Sequence, residues 1–128
     1  MPEPMDSCER RNWFETEGTL AVAGKRLRAI YHITQVERAP PDDYCSGARE
    51  NGVTCRMRQV RGIYRAEITA IEDIGRELKC IEFNKLRTQN KRKRVRRLIE
   101  FLQRSPKKFA KKSDIDKRQR ALRELGIV

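Results

Sequence analysis

Alternation of apolar and polar positions dominates the first half of the chain. Residues 18–24 (GTLAVAG) place Leu20 and Val22 on one face. Residues 26–36 (RLRAIYHITQV) place Leu27, Ala29, Tyr31 and Ile33 on one face and Arg28, His32 and Thr34 on the other. Successive strand side chains point to opposite faces, so this pattern predicts two half-buried strands, joined by a turn at Gly24-Lys25. Residues 37–52 break the pattern. Pro40, Pro41, Asp42, Asp43, Ser46, Gly47, Asn51 and Gly52 are turn formers, and they predict a long loop. A hairpin follows: Val53, Cys55 and Met57 alternate with Thr54, Arg56 and Arg58. After a turn at Arg61-Gly62, Tyr64, Ala66, Ile68 and Ala70 alternate with Arg65, Glu67 and Thr69. Residues 73–76 (DIGR) predict a second turn and residues 77–84 (ELKCIEFN) a fifth strand, with Cys80, Ile81 and Phe83 leaving its inward face ambiguous.

Near Thr88 the period changes from two to 3.6. Val95, Leu98, Ile99 and Leu102 form one stripe of an amphipathic helix, with Thr88 as N-cap and Ser105-Pro106 as its end. A basic linker over residues 107–112 leads to a short helix capped by Ser113. Asp114 and Asp116 suit that helix's positive end, Ile115, Ala121, Leu122 and Leu125 its apolar side, and Gly126 its stop. The expected fold is α+β. About five antiparallel strands, as a small barrel or curled sheet, precede a long basic amphipathic helix and a short C-terminal helix.

Charge divides the chain in the same place. The 128 residues carry a formal net charge of +12. Residues 1–84 hold 13 Lys and Arg against 14 Asp and Glu, whereas residues 85–128 hold 17 against 4. The expected organisation is therefore a near-neutral antiparallel β domain, residues 1–84, and a basic helical segment, residues 85–128, that packs on it or extends from it. Such asymmetry points to an anionic partner. Lys91, Arg92 and Arg94 occupy the start of the long helix, where the macrodipole disfavours cations and a phosphate compensates, while Lys93, Arg96 and Arg97 project sideways or outward from the apolar stripe. Arg104 and the cluster Lys107, Lys108, Lys111 and Lys112, which brackets Phe109, extend the basic surface. These residues are the candidate phosphate contacts.

Other chemistries find little support. Four cysteines, at 8, 45, 55 and 80, lack paired short spacing, and His32 is the one histidine, so no metal site or cofactor is expected. Cys55 and Cys80 read as small reduced core residues, while an oxidising compartment would allow a Cys45–Cys55 loop disulfide. Phosphate-binding glycine loops, HExxH and GxSxG are absent. No residue set fills nucleophile, base and orienter roles, so an enzyme is not expected. No apolar stretch is long enough to span a membrane, and no secretory run opens the chain, so an intracellular protein is expected. KRKRVRR would serve as a nuclear signal in a eukaryotic host.

The order of elements also resembles a PilZ domain, the bacterial cyclic di-GMP receptor module. Glu9-Arg10-Arg11 is similar to that family's basic RxxxR region, and Ile81-Glu82-Phe83 with Arg96, Leu98, Ile99 and Gln103-Arg104 to its last strand and closing helix. The resemblance implies Arg10 and Arg11 as ligand clamps. The position four residues on is Phe14 or Glu15, and the second motif falls on residues 32–37, where its acid, serine and glycine are replaced. It implies a degenerate member acting as a sensor or protein-interaction adaptor. The leading expectation is a non-enzymatic nucleic-acid-binding protein, for RNA or DNA or another polyanionic surface, working through the basic C-terminal segment.

Overall fold

The computed structural model describes residues 3–23 and 28–104. Helix α1 (Ser7–Glu17) leads into β1 (Gly18–Ala23) and β2 (Arg28–Gln35). Helix α2 (Ala39–Glu50) follows, then β3 (Arg56–Val60) and β4 (Ile63–Ile68). Helix α3 (Ile71–Cys80), a single 3-10 turn (Phe83–Lys85) and helix α4 (Gln89–Arg104) complete the described chain. The four strands form one open antiparallel sheet in the order β1-β2-β4-β3. The α+β expectation holds, with the sheet curled rather than closed.

The strand alternation is observed as read within the described strands; Leu27 lies outside the described residues, and Ala70, expected to face inward, is exposed at the start of α3. Leu20, Ala29, Tyr31, Ile33, Ala66 and Ile68 point into the core, where Phe14, Tyr44, Ala48, Ile74, Leu78, Val95 and Leu98 meet them. Phe14 stacks on Tyr31 with ring centroids 4.6 Å apart. Helix α1 lies on β1 and β2 and helix α2 on β2, β4 and β3, so both cover one face of the sheet. The β3–β4 hairpin turns through Arg61 and Gly62 at φ 48° and 81°, the paired positive angles of a type I′ turn.

Two expectations fail. The long loop over residues 37–52 contains α2. Its prolines, Pro40 and Pro41, occupy the first turn, where no intrahelical N–H is lost. Pro41, Tyr44, Cys45 and Ala48 then form the buried stripe. Gly47 is required inside this helix because a Cβ there would lie 2.1 Å from the Met5 carbonyl oxygen. The fifth strand is the second failure. Residues 71–80 form α3, with Ile74, Glu77 and Leu78 buried, and Glu82 at φ 53° ends that run. Helix α1 is an addition. Asp6 caps it by accepting from Glu9 N–H at 2.8 Å. It meets β1 at Gly18, where a Cβ would lie 2.6 Å from the Phe14 Cα.

Arg10 and Glu77 lie at the centre of the core. Both are fully buried, and the guanidinium donates through Nε at 3.0 Å and Nη2 at 3.2 Å to the two carboxylate oxygens. Nη1 donates to the Met5 carbonyl at 2.7 Å. The Tyr31 and Tyr44 hydroxyls share a 2.5 Å hydrogen bond alongside. Burial pushes both phenols well above their usual range. Arg10 is therefore an interior residue with every donor group engaged, and it does not clamp a ligand. Arg11 donates to the Ile81 carbonyl at 3.3 Å.

Candidate nucleic-acid interface

The second face of the sheet has no described element packed on it. Strand register sets its rows. Thr19, His32, Glu67 and Arg56 lie side by side across all four strands, and Thr34, Arg65 and Arg58 form the next row. Among the described side chains, this face carries three arginines, on β3 and β4, and one acid. Glu67 is 7% exposed and lies beneath the guanidinium groups of Arg65, at 3.4 Å, and Arg58, at 3.5 Å. The carboxylate holds two side chains in place while leaving a positive excess above it. Arg56 and Arg58 are exposed, and Arg65 is half-buried.

Two buried polar atoms in these rows, His32 Nδ1 and Arg65 Nε, have no hydrogen-bond partner among the described residues. Burial pulls the His32 pKa below 6.5, and the Arg65 charge adds to that, with Glu67 opposing. The folded chain therefore holds this imidazole neutral at a pH where the unfolded chain protonates it. Stability then falls as pH drops through about 6.5 and levels off below the folded-state pKa. Replacing His32 by Gln should flatten that part of a melting-temperature profile measured between pH 7.5 and 5. An unchanged profile would assign the fall to other groups.

The basic run on α4 is divided by the helix period. Lys91 is half-buried and donates to the carbonyls of Phe14, Glu15, at 3.1 Å, and Gly18, at 2.7 Å. Its ammonium also lies 4.7 Å from the Phe14 ring centroid. Helix α1 has no basic residue in its own last turn, and Lys91 supplies the missing cation at its negative end. Arg92 donates to the Leu86 carbonyl at 2.8 Å. Arg96 faces α3, in a cleft with Lys79 and Glu82. Lys93, Arg94 and Arg97 are exposed. Arg94 shares a cleft of about 330 Å³ with Gly18, Thr19 and Leu20 at the β1 edge. Arg97, at i+3, is on the same side of the helix. The Arg104 side chain and Lys107, Lys108, Lys111 and Lys112 lie outside the described residues, as do the Gly24-Lys25 turn and the short helix expected after Ser113.

The candidate phosphate contacts expected from the sequence all lie from Lys91 onward, away from this face. Arg56, Arg58 and Arg65 were visible as the polar half of a strand alternation. Their signal was the absence of acids among them, with Glu67 alone on that face.

No protein-family model and no curated protein sequence matches the chain. Solved structures do match. The homing endonuclease I-TnaI superposes with a TM-score of 0.63 at 13% identity, covering 95% of this chain and 99% of that one. The homing endonuclease I-CvuI, solved in complex with a DNA target, superposes with a TM-score of 0.62 at 11% identity, covering 95% of each chain. An archaeal intron-encoded homing endonuclease complexed with DNA gives 0.55 at 14% identity, covering 95% of this chain and 97% of that one. The chain shares its fold with these solved structures.

This likeness corrects two expectations. The PilZ resemblance is withdrawn: the sheet is an open four-stranded one flanked by helices, and Ile81-Glu82-Phe83, matched to that family's last strand, form a turn that leads into the 3-10 turn. The expectation of a non-enzymatic protein is withdrawn too, because solved proteins of this fold are endonucleases. No three His, Cys, Asp or Glu side chains converge as a metal site among the described residues. No described helix is long and apolar enough to cross a membrane.

Proposed function

We propose that the chain binds duplex DNA on the open face of its sheet. The uncovered arginine-bearing face is the observation that carries this reading. A two-stranded ribbon fits the major groove of B-form DNA, and guanidinium groups there reach guanine acceptor edges and flanking phosphates. The deep, narrow major groove of A-form RNA does not admit such a ribbon, which favours DNA. Arg56, Arg58 and Arg65 are the central contacts, with His32, Thr19 and Thr34 beside them. Arg94 and Arg97 carry the positive surface round the β1 edge to phosphates outside the groove, and Lys93 strengthens the field. Lys91 and Arg92 act inside the protein. The solved DNA complexes of the same fold support this reading.

A nuclease activity is the further part of the same proposal. Glu15 and Glu17 lie in the last turn of α1, where the helix dipole disfavours anions, and Glu15 Oε2 is buried without a hydrogen-bond partner among the described residues. One described chain does not bring enough donors together for a divalent ion, so no catalytic step is assigned through one. Fluorescence titration with labelled duplex DNA, single-stranded DNA and duplex RNA tests the binding. About four phosphate contacts predict a roughly 10²-fold loss of affinity between 50 and 200 mM salt. A flat salt response, or equal affinity for duplex RNA, refutes the sheet-face reading. Incubating supercoiled DNA with the protein, with and without Mg²⁺, tests cleavage separately.

A further inference from the structure

Cys45 lies on the buried stripe of α2, and Cys55 immediately precedes β3. Both are core residues, 0% and 2% exposed. Their Sγ atoms are 2.7 Å apart, and each is the other's hydrogen-bond partner. A disulfide holds its sulfurs about 2.0 Å apart, so bond formation needs less than about 1 Å of movement. The other two cysteines stand elsewhere: Cys8 is exposed on α1 and accepts from Arg11, and Cys80 ends α3. Nine residues separate the pair in sequence, and they contain the end of α2 and the turn at Asn51 and Gly52.

We infer that Cys45 and Cys55 are a disulfide-forming site, oxidised by a small-molecule disulfide of the glutathione class. One cysteine thiolate attacks the glutathione disulfide, forming a mixed disulfide and releasing a first glutathione thiolate. The second cysteine attacks the protein sulfur of that mixed disulfide and releases the second glutathione. Two protein thiols become one disulfide, and their two protons end on two glutathione thiols. The bond ties α2 to the start of the strand that carries Arg56 and Arg58. The hydrogen bond with Cys45, and then burial, hold the Cys55 thiol far above its ordinary range, so the reaction proceeds from open forms of the chain rather than from the closed core.

The test is to refold the reduced full-length chain from denaturant into a glutathione redox buffer, block free thiols under denaturing conditions and map peptides by mass spectrometry. The expected product has two blocked thiols, at Cys8 and Cys80, and one peptide joining Cys45 to Cys55. Its melting temperature should exceed that of the reduced chain by about 5–10 °C, as expected for closing a short loop. The C8S/C80S variant should form the same link and show the same shift, and C45S should lose both. Four blocked thiols, glutathione retained on Cys45 or Cys55, or a link through Cys8 or Cys80 would overturn the assignment. So would a Cys45–Cys55 link that leaves the melting temperature unchanged.

Discussion

Glu77→Leu should lower the melting temperature by about 10–18 °C. The substitution leaves Arg10 fully buried with no counter-charge, and stranding one partner of a buried ion pair costs about 3–5 kcal/mol. In a chain of 128 residues that cost converts to the stated shift. Burial pushes the Glu77 carboxyl up, and the Arg10 guanidinium opposes it. Desolvation is thus the larger effect on this group, which is why the pair is a poor source of net stability and a severe liability when broken. Replacing both partners at once, Arg10→Met with Glu77→Leu, should recover most of the loss, because apolar side chains of similar volume remove both desolvation costs. The Met5 carbonyl then loses its Arg10 donor and retains a penalty of about 1 kcal/mol. Urea unfolding of the single and double variants measures both quantities. A single variant within about 1 kcal/mol of the parent would show that the pair is hydrated in solution rather than enclosed.

The strands were legible because a half-buried antiparallel sheet writes its two faces directly into the sequence as alternation. The helices were legible only where a stripe ran long enough. Val95, Leu98 and Ile99 showed α4, with Leu102 continuing the spacing. In α2 the stripe Pro41, Tyr44, Cys45 and Ala48 was present too, but Pro40, Asp42, Ser46 and Gly47 supplied a competing turn signal. Proline and aspartate fit the first turn of that helix, and glycine fits where Met5 crosses it. Helix α3 is 10 residues long, too short for its Ile71, Ile74 and Leu78 spacing to outweigh an accidental alternation at Ile81 and Phe83. Helix α1 carried one local signal, Asp6 three residues before Glu9, and otherwise buries only Arg10 and Phe14.

Charge was legible as quantity and not as direction. Arg10 pairs with a residue 67 positions away, and no local pattern distinguishes it from the half-buried Arg11 beside it. Lys91 and Arg94 belong to the same run, yet one closes the end of α1 and the other borders a cleft at the β1 edge. A helix turns 100° per residue, so consecutive cations are necessarily spread around it. A strand keeps every second residue on one face, which is how Arg56, Arg58 and Arg65 come to share a surface despite being only three residues. Cations gathered on one uncovered face offer more to a duplex than the same number distributed around a cylinder.

That comparison yields the second large effect. Arg56→Ala with Arg58→Ala should weaken duplex DNA binding by about 2–4 kcal/mol, roughly 30- to 1000-fold, if both side chains make base or phosphate contacts. The pair suits the test because both are exposed on edge strand β3, and Glu67 keeps its 3.4 Å contact with Arg65 when Arg58 is removed. Lys79→Ala with Lys85→Ala removes the same charge from α3 and the turn after it, and should change affinity by less than about threefold at 0.1 M salt, where the Debye length is about 10 Å. The salt slope then sorts the two arginines. Removing a side chain that touches phosphate lowers the slope by about one per residue and weakens all duplexes alike. Removing a side chain that reads a base leaves the slope nearly unchanged and erases the preference among duplexes that differ at one base pair. Arg58 is held beside Glu67 in a fixed orientation and should behave as a base reader. Arg56, for which the described side chains show no ion-pair partner, should behave as a phosphate binder. Equal losses in the two double variants would mean that net charge alone drives binding, and the sheet face would have no special part in it.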